Sequence, residues 1–171
     1  MKYCNNMIDG DSADFVNLPI NYIRNICKES IDNKQPIWFG ADIHHYFDRN
    51  KGIADLNIYN YDFLHKMNQN DFEKGERLLF NQSVPNHAML ILGYDIDNNN
   101  KIKKWYIENS WGRKNNKGFI SMSDNWFDNF VFEIVVKKEC LNEKLMNKIN
   151  FKKKTKIYPW KIISCEALSV V

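Results

Sequence analysis

Residues 88–92, Ala-Met-Leu-Ile-Leu, are apolar at every position. A strand with one wet face alternates between apolar and polar, so an unbroken run belongs in the middle of a sheet with both faces covered. The run continues through Gly93-Tyr94-Asp95-Ile96 into a polar tip, Asp97-Asn98-Asn99-Asn100, and then into a second β-rich stretch. That pattern is a hairpin. A central hairpin needs flanking strands, and the pattern predicts strands at 87–96, 102–109, 118–123 and 131–136. Earlier in the chain, Ile37-Trp38-Phe39 follows Pro36 and reads as a buried strand stopped by Gly40.

Helices are read from the other period. Ile20, Ile23, Ile26, Cys27 and Ile31 recur at helical spacing behind Pro19, which predicts a helix over about residues 19–32. A helix near 70–80, a short one around Asp124–Asn129 and a charged one around 139–149 complete the reading. Residues 41–85 are otherwise polar, aromatic and irregular, a length of connection that is usually functional or packed as a lid. A helix followed by an antiparallel meander makes the fold class α+β.

With 171 residues and 20.4 kDa, the chain has the size of one domain with a true core. A net charge of +3 is too small to imply nucleic acid by itself. The lysines are unevenly placed, however: nine fall between Lys137 and Lys161 against two glutamates. Such a segment, with Lys152-Lys153-Lys154 at its heart, reads first as a solvated stretch and secondarily as a nucleic-acid contact. The start, MKYCNNMIDGDSADF, has no apolar run behind a basic head, and no stretch approaches the roughly 20 apolar residues of a membrane span. Cys4, Cys27, Cys140 and Cys165 lack C-x-x-C spacing and read as reduced thiols of a cytoplasmic protein. His44 and His45 are adjacent, so on a strand they point to opposite faces and cannot chelate one metal together. His65 reads as a solvated loop residue, and neither a metal nor a cofactor is expected.

The chemistry lies at the ends of the hairpin. With its tip centred on Asn98, residues placed symmetrically about that position face each other. His87 then opposes Asn109, Met89 opposes Ile107 and Ile91 opposes Trp105. A thiolate beside an imidazolium is already a charge pair, and a carboxylate there would add a second negative charge. A neutral amide can instead accept the imidazole N–H and fix the ring. Trp111, two residues after Asn109, is placed to cover that bond from water. The alternative is a core histidine bonded to a convenient amide.

Four segments, PIWFGADIHHYFDRNKGIADLNIY, NHAMLILGY, KWYIENSWG and KGFISMSDNWFDNFVFEIVVKK, resemble in order the bleomycin hydrolase, or aminopeptidase C, family of papain-like cysteine peptidases. The resemblance implies a papain-like fold, of which this chain is the carboxy-terminal antiparallel sheet or half-barrel with an amino-terminal helix and peripheral helices. On that reading residues 1–171 are a single partial domain, and residues 150–171 are a carboxy-terminal arm lying in the cleft. The resemblance further implies amino-terminal peptide hydrolysis in the cytoplasm. His87 would be the general base and acid, Asn109 its orienting partner, and Trp111 a supporting residue. Implied partners are a peptide substrate and either a homo-oligomer, in the family a hexameric barrel, or a complementary amino-terminal half chain.

The family's nucleophile stands in a Gln…Cys-Trp context at a helix start, and this chain resembles only the portion downstream of that helix. No cysteine here repeats the context. Cys27 reads as a buried thiol inside a helix, Cys4 has no helix behind it, Cys140 precedes a lysine-rich helix, and Cys165 lies in the arm. Two non-enzymatic readings therefore stand beside a peptidase part lacking its nucleophile. One is an inactive relative that binds peptides or a partner; the other is a nucleic-acid-binding module using the lysines of 137–161.

Overall fold

The computed structural model describes residues 2–3, 15–59, 72–112, 118–149 and 156–157. Strand β1 (Lys2–Tyr3) pairs in parallel with β9 (Lys156–Ile157), apart from the main sheet. The main elements are α1 (Ile20–Asp32), β2 (Ile37–Ala41), β3 (Phe47–Asp48), β4 (Ile53–Ala54), α2 (Lys74–Leu79) and β5 (His87–Ile96). They continue with β6 (Ile102–Glu108), β7 (Phe119–Ser123), α3 (Asp124–Phe130), β8 (Val131–Val135) and α4 (Glu143–Lys148). Seven strands form one curled sheet in the order β3-β4-β7-β6-β5-β2-β8. The architecture is α+β, as the pattern of the sequence implies.

The fully apolar run does lie in the middle of this sheet. β5 is bonded to β6 on one side and β2 on the other. Ile37, Ile91, Ile107 and Ile120 pair in one row across β2, β5, β6 and β7, and none is more than 4 % exposed. β-branched side chains suit such a row because they pack against cross-strand neighbours on a pleated surface. Helices cover this face: α1 brings Cys27, with Ile20, Ile23 and Ile31 packed against the core, and α3 brings Trp126, Phe127 and Phe130. Trp105 stacks on Phe127 with ring centroids 4.8 Å apart, and its indole N–H donates to Asp124 at 3.0 Å. Asp124 also receives Arg24 Nε at 3.0 Å, which ties α1 to α3. The sheet's other face carries Trp38, Tyr106 and Val135, exposed at 38 %, 48 % and 61 %.

Three expectations need correction. The sheet is not a simple helix-then-meander: β5-β6-β7 is a meander, but β2 is inserted between β5 and β8, and β4 runs parallel to β7. Residues 41–59 are not irregular throughout, because they hold the small β3–β4 hairpin. The charged helix around 139–149 is two pieces, a 3₁₀ turn over Lys138–Cys140 and then α4. The break has a cause at Asn142, whose side chain caps α4 by accepting from the Leu145 amide at 3.0 Å. Of the expected lysine-rich segment, residues 152–154 lie outside the described residues, as does His65. Among the described residues, no helix is long and apolar enough to cross a membrane.

Candidate active site

His87 opens β5 and pairs with Ala41 at the end of β2. Its Nε2 stands 2.8 Å from Oδ1 of Asn109. An amide oxygen only accepts, so Nε2 carries the proton and the neutral ring keeps its lone pair on Nδ1. Asn109 follows the last residue of β6 and is only 9 % exposed. Its own amide donates to the Gly118 carbonyl at 2.8 Å, which pins the backbone beneath the side chain. Gly118 adopts a φ of +86°, and a Cβ there would meet the Gly112 carbonyl at 3.4 Å. Glycine thus lets the returning chain close against the Asn109–Gly112 turn.

The contact forms by a different route from the one the sequence suggests. The hairpin tip is centred on Asn99, not Asn98: Asp97 bonds Lys101 through its amide at 2.8 Å, and Asn100 takes a left-handed φ of 60°. That is a three-residue loop closed by an αL residue. Ile91 therefore faces Ile107, Tyr94 faces Trp105, and the register shifts twice along the ladder. The expected pairs Met89–Ile107 and Ile91–Trp105 do not occur, and His87 does not oppose Asn109. Both side chains remain on the core-facing side of their strands, one diagonal step apart. A long imidazole and an amide span that step.

Trp111 packs on His87, its ring 4.7 Å from the imidazole at a 36° tilt. Phe47 packs on it at 5.8 Å, and the Arg49 guanidinium sits 4.5 Å from the indole ring. Sequence reasoning does not single out Phe47 or Arg49. They arrive on β3 and its turn, inside the stretch that carries no clear periodicity.

A second polar cluster also escapes the sequence. Asp42, 1 % exposed, follows β2 and accepts from Ser83 Oγ (2.7 Å), the Val84 amide (3.2 Å), Asn86 Nδ2 (2.5 Å) and the His44 amide (3.1 Å). His45 Nε2 completes the set at 3.3 Å from the same carboxylate. Burial opposes ionisation of Asp42, but the hydrogen bonds from His45, Ser83 and the His44 amide, with the charge of His45, hold it well below the usual carboxylate range. His45 is raised in turn, chiefly by its bond to Asp42, against a smaller opposing effect of burial. A single acid closing an apolar strand is the only signal the sequence offers.

Both described thiols are free and buried. Cys27 is fully buried in the core, and desolvation pushes its thiol up to about 12. Cys140 is 7 % exposed within the 3₁₀ turn. Cys4 and Cys165 lie outside the described residues. No group of residues that could hold a metal occurs among the described residues.

Comparison with known proteins gives this geometry a context. Bleomycin hydrolase of Gallus gallus is 34 % identical over 149 residues, covering 85 % of this chain and 33 % of that protein. Aminopeptidase C of Streptococcus thermophilus is 37 % identical over 138 residues, covering 80 % of this chain and 31 % of that one. The crystal structure of PepW from Lactobacillus rhamnosis superposes with a TM-score of 0.84 at 34 % identity, over 93 % of this chain and 37 % of that one. The chain thus spans about a third of the length of the curated relatives it matches. Residues 1–164 match the Peptidase C1-like family, and the chain belongs to that family.

Proposed function

We propose that His87 and Asn109 are the proton-transfer half of a cysteine-peptidase centre that removes residues from the amino end of peptides. The observation that carries this reading is the 2.8 Å bond from Nε2 to Asn109, which leaves Nδ1 as the free base. The thiol comes from the share of the family's length that this chain does not span. Nδ1 of His87 takes the thiol proton, and the thiolate adds to the peptide carbonyl. The imidazolium then protonates the departing amine as the C–N bond breaks. Water, deprotonated by the same nitrogen, hydrolyses the thioester and restores the thiol. Asn109 stays neutral throughout, so the ring is oriented without a competing negative charge.

The exposed Trp38, Tyr106 and Val135 favour a companion reading for association. They form an apolar face on the sheet's outer side, suited to a complementary family segment rather than to water.

The test is co-expression with a family polypeptide that carries the Gln…Cys-Trp helix, followed by turnover of aminoacyl arylamides. Turnover should require both chains and disappear in His87→Ala. Turnover that survives His87→Ala would reject the assignment.

A further inference from the structure

The polar cluster around Asp42 has no part in the chemistry above, yet it is attached to it. Four residues immediately before His87, 83–86, lie between α2 and β5 without helix or strand of their own. A coil entering a strand does not by itself fix the first side chain of that strand. Here three of those four residues bond to one buried carboxylate: Ser83 through its hydroxyl, Val84 through its amide and Asn86 through its side-chain N–H. Asn86 is held from two more directions, since its Oδ1 accepts from the Ile43 amide at 3.0 Å and its own amide donates to the Ala41 carbonyl at 3.0 Å.

We infer that Asp42 is the positioning residue of His87: through Ser83, Val84 and Asn86 it clamps the coil against the end of β2 and so sets the imidazole against Asn109. The inference rests on the reading of His87 as the base, but it concerns where the ring points, not whether a thiol is present. The clamp is braced from behind. His45 reaches Asp42 at 3.3 Å and the Gln82 carbonyl at 3.0 Å, and stacks on Phe130 with centroids 5.4 Å apart. Trp126 donates to the His45 carbonyl at 2.9 Å. Arg77 faces the same cluster with its guanidinium 5.1 Å from the Phe130 ring. The imidazole of His87 bonds to Asn109 and not to Asp42, so the effect of the cluster is transmitted by one peptide unit, from Asn86 to His87.

Charge matters to the clamp as well as shape. A carboxylate accepts from all five donors at once, whereas an amide at the same place presents one acceptor oxygen and two unwanted donors. Asp42→Asn is therefore nearly isosteric and still breaks the clamp.

The experiment follows the tautomer of His87 in the full chain labelled with 15N-histidine, using long-range 1H–15N correlation near neutral pH. The native chain should show the single Nε2–H form that the Asn109 oxygen requires. Asp42→Asn should show both tautomers in exchange, while Ile26→Ala, a core change remote from the clamp, lowers thermal stability and keeps the Nε2–H form. A folded Asp42→Asn chain that retains the single tautomer, with only its melting temperature lowered, overturns the proposal. Should Asp42→Asn not fold, the double variant Ser83→Ala/His45→Phe removes two donors, keeps a ring against Phe130 and leaves the carboxylate in place, and it is judged by the same criterion. Because the readout is independent of turnover, failure here leaves the peptidase reading untouched. Failure of the co-expression test likewise leaves the clamp untouched.

Discussion

Asn109 accepts from His87 at 2.8 Å although no rung of the β5–β6 ladder sets the two opposite each other. The ladder ends at Leu90 with Glu108, and the same register carried one step beyond it would bring Met89, not His87, opposite Asn109. A diagonal bond depends on the length of both side chains. Asn109→Ala should therefore release the ring, lowering kcat of the reconstituted peptidase by roughly 10²-fold with little change in KM. Steady-state kinetics on an aminoacyl arylamide decides the point. An equal rise in KM with unchanged kcat would mean that Asn109 binds substrate rather than orienting the base.

Trp111 is gripped between the imidazole and the guanidinium of Arg49, 4.5 Å from its ring. Arg49→Ala should cost about 0.5–1 kcal/mol, the range for a cation over an aromatic face near the surface. Trp111→Ala should cost more, because it also loses the packing of Phe47 and His87. Urea denaturation of both single variants and the double variant forms a cycle whose coupling should be non-zero. Strictly additive losses would show that the guanidinium merely lies near the indole.

The sheet was legible where the pattern was strongest. The apolar run 88–92 specified a central strand, and the Ile stripe of α1 specified the helix that covers it, because an unbroken apolar run and an apolar stripe at helical spacing leave different periods. The covering of both faces was not realised, since Leu90 and Leu92 are only half-buried. The α3 segment was equally plain: Ser123 caps it by accepting from the Trp126 amide at 3.3 Å, and three aromatics follow at helical spacing. The hairpin register was not legible. It turned on which asparagine among three takes the left-handed conformation, and Asn98, Asn99 and Asn100 are chemically identical candidates. The His87–Asn109 contact nevertheless follows from either register, because both keep the two residues on one face. Asp42 and Arg49 were hidden for another reason: the clamp from Asp42 to Ser83, Val84 and Asn86 and the contact from Arg49 to Trp111 each join segments 41 or more residues apart, so no local pattern announces them.

The pair Asp42–His45 makes stability depend on pH in a defined window. Asp42 is lowered from its ordinary 3.8, so its contribution is present above that value and is lost only as pH falls through the lower folded one. His45 is raised above 6.5, so its contribution is complete below 6.5 and disappears as pH rises through the folded value. Between those limits the ion pair is whole. Its magnitude is modest, under about 1 kcal/mol, because the His45 side chain is 37 % exposed and screened by solvent. Thermal melts should show native stability declining just above pH 6.5 relative to His45→Gln. Parallel curves for the two proteins would remove His45 from the account.

Gly40 and Glu133 give the sharpest test of packing on the outer face. The two residues pair across β2 and β8, and the Glu133 side chain occupies the space where a Gly40 Cβ would stand, 2.6 Å from Oε1 and 2.8 Å from Cγ. Burial raises the Glu133 carboxyl above its ordinary 4.5. No hydrogen bond or ion pair reaches it among the described residues, so nothing offsets the burial. Gly40→Ala must displace that side chain, and overpacking costs about 1–3 kcal/mol when nothing yields. Because the obstacle is the end of a flexible chain, the loss should fall near the lower end. Adding Glu133→Ala should recover it, and the favourable strand conformation of Ala over Gly should carry the double variant to native stability or above. The carboxylate leaves a pH signature too. A folded state that holds the proton more tightly than the unfolded chain loses stability as pH rises past 4.5, and Glu133→Gln should lack that loss. Urea midpoints at pH 4.5 and 7 for the native protein and these variants measure both effects. If Gly40→Ala were neutral while Glu133→Gln kept the native pH slope, the glycine would not be there to house the carboxylate.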